Sequence, residues 1–202
     1  MDYILPLIVG FLAAFIGLIA PSMLNMTAAR TSIEKGKQAG LQFAAGAASI
    51  VTIQAFIAVY FAKKITPEII KSLQTAAVFV LLGLSVFFFM QARKKFKAEG
   101  KDKKGSTFIV GMGMSSLNML AVPFYLGMAK VGEGFGMILE IPYSLIYVIG
   151  AVLGAFSLFS IYATYAELIA EKAQFIAKNI NYILSGLFVV LAIVSAVNVL
   201  TS

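Results

Sequence analysis

The chain has 202 residues, 60% hydrophobic and only 12% charged, with a mean hydropathy of +0.94 and a formal net charge of +7. So little polar surface cannot cover a water-soluble globule of this size, and the composition points to an integral membrane protein. With no cysteine and no histidine, disulfides, thiol relays and thiolate metal sites are excluded, as are the commonest transition-metal ligand and the side chain that titrates nearest neutral pH.

Cutting the sequence at its charged residues leaves six uncharged runs: 3–29, 39–62, 72–92, 105–129, 141–166 and 179–202. A helix needs roughly 20 residues to cross a bilayer, so each run is long enough. Stretches such as Phe79 to Met90 are apolar on every face, which fits a lipid-embedded helix and not the alternating strand of a barrel. The predicted fold is therefore an all-α polytopic membrane protein of six transmembrane helices, forming one domain over 1–202. The first run lacks a basic leader and continues into a polar-patterned segment, so it is expected to be retained, not cleaved as a signal peptide.

Near the end of the first run stands Pro21, followed by Ser22-Met23-Leu24-Asn25-Met26 and Thr27. A similar pentapeptide, Ser115-Ser116-Leu117-Asn118-Met119, lies 93 residues later in the fourth run, with Pro123 just beyond it. Proline frees a carbonyl one turn back, and in lipid that carbonyl must find another partner. Proline beside Ser and Asn in both halves predicts two broken helices, with Ser22, Asn25, Thr27, Ser115, Ser116 and Asn118 lining a substrate site. Three spans per half is an odd number, so related halves would cross the membrane in opposite senses, a 3+3 inverted repeat. Asn118 falls at the centre of its run, whereas Asn25 lies toward the end of its own.

Between the first and second runs come Gly36, Gly40 and Gly46; the fifth run carries Gly150 and Gly154. Glycines at these spacings are expected to let neighbouring helices approach closely. The loop at 93–104 holds seven Lys and Arg residues, and the three loops on its side carry twelve of the sixteen basic residues. The positive-inside rule makes that side cytoplasmic and puts both termini outside. The basic cluster reads as a stop-transfer loop resting on anionic lipid, and nucleic acid is not expected as a partner. Every acidic residue lies at a run boundary; among them Glu140, just before Ile141-Pro142, is the candidate for proton coupling.

These features resemble the LysE/RhtB translocator family of amino-acid exporters. Its proline late in the first span, its cytoplasmic turn and its Gly-x3-Gly-x5-Gly ladder correspond to Pro21, Gly36, Gly40 and Gly46. Ser22 and Met23 replace the rest of its Pro-Gly-Pro triplet, and of its fourth-span Asn-Pro-Lys only Asn118 remains, with a proline displaced to Pro123. The resemblance implies a secondary transporter that exports amino acids or related small amphiphilic metabolites across the bacterial cytoplasmic membrane. Its partners would be a small-molecule substrate and the lipid bilayer, with a homodimer allowed. No catalytic residue, cofactor or metal site is expected. Ser22 and Ser116 have no base within a turn or two, and the runs hold no cluster of metal ligands. A divalent-cation exporter of the wider superfamily and a non-transport assembly protein are the alternatives.

Overall fold

A computed structural model describes residues 3–66, 79, 82–83, 85–90, 92–93, 105–118 and 120–201. Among these residues every regular element is an α-helix. In chain order they are α1 (Ile4–Gly17), α2 (Met23–Lys35), α3 (Lys37–Ala62), α4 (Thr107–Ser116), α5 (Ala121–Gly134), α6 (Tyr143–Thr164) and α7 (Ala166–Thr201). The third run is helical at its described positions, and the basic cluster at 94–104 lies outside the described residues. By length and apolarity α3 and α6 can each cross a membrane, and the bent pair α4 and α5 makes a third candidate.

The first uncharged run is two helices, not one. At Pro21 the chain lacks an N–H, and the preceding Ala20 is steered away from helical backbone. Residues 18–22 therefore leave the helix, and Ser22, with extended backbone, caps α2 by accepting from the Asn25 N–H at 3.3 Å. Gly36 ends α2 with φ +88°, a conformation that L side chains resist, and starts α3. The fourth run breaks at 117–120, where α4 and α5 diverge by 71°. There Pro123 stands in the first turn of α5, where no intrahelical N–H is needed. The last run starts earlier than its charge boundaries suggest, because α7 runs on from Ala166 through Glu167, Glu171 and Lys172.

Contacts gather the chain into two compact units, where length alone suggested one: Met1–Lys64 with Ala98–Glu171, and Ile65–Lys97 with Lys172–Ser202. In the first, α1 packs on α6, α4 packs on α3, and α3 also meets α5 and α6. The buried apolar residues are mostly alanine, including Ala44, Ala47, Ala55, Ala151 and Ala155, while large apolar side chains point outward: Ile53, Phe56 and Tyr60 on α3, and Ile149, Leu153 and Phe156 on α6. Water would penalise that arrangement heavily. Hydrocarbon does not, and helices in lipid associate through small residues that let backbones touch.

Glycine makes the tightest of these contacts. A Cβ on Gly10 would stand 2.1 Å from the Tyr147 carbonyl oxygen, and one on Gly150 would stand 2.2 Å from that of Leu7. Between α3 and α4 the same exchange recurs: a Cβ on Gly111 would stand 2.3 Å from the Phe43 carbonyl oxygen, and one on Gly46 2.0 Å from that of Phe108. Gly154 packs on Phe11, and Gly40 on Ser32 and Ala163. Gly36 departs from its expected packing role, since nothing would meet its Cβ. Its positive φ makes it a turn residue. In the second unit Ser185 donates to the Ser85 carbonyl at 3.0 Å, and the rings of Phe88 and Phe188 stack at 5.5 Å.

Candidate functional site

The break between α1 and α2 exposes backbone carbonyls that no helix satisfies, and two buried side chains take them up. Asn25, wholly buried in the first turn of α2, donates both carboxamide hydrogens backward, to Leu18 O at 2.6 Å and Ala20 O at 2.9 Å. Tyr162 on α6, also buried, donates its hydroxyl to Ile19 O at 2.9 Å and lies beside the Asn25 carboxamide. Three successive carbonyls are thus held by two side chains. The Asn25 Oδ1 is itself buried and has no hydrogen-bond partner. Thr27, equally buried, returns its hydroxyl to the Met23 carbonyl at 2.6 Å, a bond within its own helix.

The second break is built differently. From α3, Gln54 donates to the Ser115 carbonyl at 3.0 Å, and the Asn118 N–H reaches the same oxygen at 3.0 Å. Ser115 is buried, but Ser116 is exposed and bonds back to Gly113 O at 2.9 Å. Asn118 is half-buried inside the break, between Leu117 and Leu120, which are 72% and 73% exposed. On the far side Tyr147 donates to the Tyr125 carbonyl at 2.8 Å, and both rings are buried.

Both helix breaks expected from Pro21 and Pro123 are present, but the two pentapeptides do not fold alike. Ser22 is a helix cap, whereas Ser115 lies within α4. Asn25 is inside a helix, whereas Asn118 is in the connection. The reason is local: the first proline precedes its pentapeptide and the second follows it. Ser22, Asn25 and Thr27 come together around one break, and Ser115, Ser116 and Asn118 around the other. Glu140 is exposed in the loop before α6, where its carbonyl accepts from the Ser144 N–H at 3.1 Å. Tyr125, Tyr147 and Tyr162 are buried, and the hydroxyls of the last two pin backbone carbonyls, whereas Tyr165 is exposed.

The sequence did carry a signal for Gln54, an amide in the middle of an uncharged run. Gly10 and Gly111 had none, because a single glycine in an apolar helix announces no partner. No family model, curated protein or solved structure matches this chain. Electrostatically, each break sets the negative end of one helix dipole beside the positive end of the next. It can accept a cation at its carbonyls and an anion at its free N–H groups. Among the described residues no three His, Cys, Asp or Glu side chains cluster as metal ligands would.

Proposed function

We propose that the chain is a six-span secondary transporter of the bacterial cytoplasmic membrane, built as a 3+3 inverted repeat with both termini outside. It would export amino acids or related small amphiphilic metabolites by alternating access. The observation that carries the reading is the reciprocal glycine exchange. Leu7 and Gly10 of α1 meet Tyr147, Gly150 and Ala151 of α6, while Phe108 and Gly111 of α4 meet Phe43, Gly46 and Ala47 of α3. One set of numbers becomes the other on adding 101 along α1 and 104 along α3. Helix α1 thus crosses α6, and α4 crosses α3, through positions in one constant register, which supports a two-fold relation between the halves.

Two further facts support the repeat. Each crossing helix breaks at a comparable distance beyond its glycine, and the third runs meet through residues 100 apart, Ser85 with Ser185 and Phe88 with Phe188. The register of 101 sets Pro21 beside Val122 and Pro123, and it sets Asn118 opposite Gly17. The asparagines are therefore not counterparts, and the separation of 93 between the pentapeptides is not the register of the repeat.

Within this reading the dipole ends at the breaks supply the binding chemistry. A substrate carboxylate is favoured at the start of α2 or α5, and an ammonium at the carbonyl ends of α1 or α4. Asn118 and Ser116 carry free polar capacity at an exposed break and are the first candidates for substrate contact. Ser22 and both amide hydrogens of Asn25 hold the backbone. The resemblance to LysE-type exporters supplies the direction of transport and the substrate class. A static assembly role is the second reading, favoured by the internal satisfaction of the first break and opposed by the exposed second one. An efflux screen of amino acids from cells with and without the protein, repeated after collapse of the proton gradient, tests the proposal. Differential efflux of at least one amino acid is expected; none for any would remove it.

A further inference from the structure

The connection between α5 and α6, residues 135–142, is poor in what a water-facing loop needs, since Glu140 is its one charged residue. It is nonetheless closely held. The N–H groups of Met137 and Gly136 reach the carbonyls of Gly132 and Glu133, both at 2.9 Å, and Gly136 takes the φ of +88° that this kind of helix end requires. Met137 and Leu139 are buried, and the Met137 methyl lies so near Gly132 that a Cβ there would stand 2.8 Å from it. The apolar residues between and beside these two turn outward: Phe135 is 76% exposed, Ile138 43% and Ile141 68%. Two inward anchors thus commit three large apolar side chains to the surface.

Their position decides what they meet. Leu7 lies against Gly150 and Phe11 against Gly154, so α1 and α6 run parallel, and the rings of Tyr3 and Tyr143 stack at 5.0 Å where both helices start. Gly40, near the start of α3, meets Ala163, near the end of α6, so α3 runs the other way and finishes toward that same end, with Lys64 over the Tyr60 ring at 4.5 Å. The connection therefore sits at a helix end that already carries tyrosines and a lysine, the side chains that favour a membrane–water boundary. Outward apolar stripes lead away from it: Ile141 is followed at spacings of four by Leu145, Ile149 and Leu153 on α6, and Phe135 follows Val131 on α5. A face suited to acyl chains along both helices continues into the connection.

We propose that residues 135–142 form an interfacial element, seated through Phe135, Ile138 and Ile141 at the boundary between the headgroups and acyl chains of a phospholipid bilayer. At that depth, about 5–10 Å into the membrane surface, apolar side chains leave water while a carboxylate such as that of Glu140 still reaches it. The inference needs a membrane-embedded chain and does not depend on transport.

The chain has no tryptophan, so a single introduced one reports without background. Phe135→Trp, Ile141→Trp and, on the α6 stripe, Ile149→Trp are each reconstituted as the full chain in phosphatidylcholine vesicles, plain or carrying bromine either near the headgroup or near the end of the acyl chain. All three positions are exposed, so each variant should fold as the parent does, and Ile138→Trp replaces either loop variant that does not. The two loop variants should emit to the blue of free tryptophan and resist iodide. Bromine near the headgroup should quench them at least about twofold more than bromine near the chain end, as an interfacial depth requires, and Ile149→Trp should reverse that order. Emission like that of free tryptophan, with full access to iodide, would place the connection in water and overturn the proposal. Shielding from iodide and from both brominated lipids would overturn it in favour of a second copy of the chain on this face, and a quenching order like that of Ile149→Trp would overturn it by placing the connection in hydrocarbon. Failure of the efflux screen would leave these readings untouched.

Discussion

The two breaks share an architecture and differ in how they are finished. At 18–22 the loose carbonyls are partly buried and are stapled by the buried side chains of Asn25 and Tyr162, so their hydrogen bonds are met within the chain. At 117–120 one carbonyl is held by Gln54, and the flanking leucines are largely exposed. The same glycine crossing occurs twice, Gly10 with Gly150 and Gly46 with Gly111, and the breaks that follow it are finished in two ways. Polar satisfaction is what separates them, since the glycine packing beneath both is the same.

That shared packing gives the largest expected effects. Valine at Gly10, Gly46, Gly111 or Gly150 would drive a side chain into a carbonyl oxygen that a Cβ alone would approach to within 2.3 Å. Each substitution should cost about 3 kcal/mol or more and abolish the folded, monodisperse protein in detergent chromatography. Gly113→Ala and Gly127→Ala, with open space around them, should elute like the parent. If Gly10→Val failed while Gly111→Val folded normally, the two crossings would not be equivalent.

Next comes the staple itself. Asn25→Leu removes the donors to Leu18 and Ala20 and leaves two part-buried carbonyls bare, at a cost of about 1 to 3 kcal/mol. In a thermal melt it should fall well below Asn118→Leu, which breaks no comparable pair. Equal losses would mean that both breaks are held alike, contrary to their geometry.

How much of this was legible beforehand follows from what each residue type can announce. Pro21 and Pro123 declared the breaks because a missing N–H acts locally, and the uncharged runs declared α3 and α6 because apolarity over that length has few other uses. The asparagines misled as a matched pair: their neighbours agree, yet one proline precedes and the other follows, which moves the cap by several residues. Tyr162 and Gln54 act on carbonyls 143 and 61 residues away, and nothing in a single chain marks such a pairing. Gly36 looked like Gly40 in spacing, but only φ distinguishes a turn from a contact.

A finer division separates the two hydroxyl and amide donors that arrive from neighbouring helices. Tyr162→Phe deletes one bond to Ile19 O and leaves the ring packed, and Gln54→Leu deletes one bond to Ser115 O. Each should lower stability by about 1 kcal/mol, and bonds between helices in lipid are often worth less. The Tyr162 variant should suffer more, because Ser115 O keeps the Asn118 N–H as a second donor. Paired melts of the two variants read the difference, and a reversed order would assign the firmer hold to the second break.

The smallest effect on stability belongs to Asn118→Ala. Its side chain is half-buried in a connection between two exposed leucines, and its backbone bonds to Ser115 and Ala121 survive the change. Stability should stay within about 0.5 kcal/mol of the parent. Flux should not, because this break offers the polar group that the first has already committed to its own backbone. A variant that melts like the parent and exports poorly would locate contact with the cargo at 117–120. One that exports normally would return the substrate to the oxygens of 18–22, making the stapled break the working one and the exposed break a hinge.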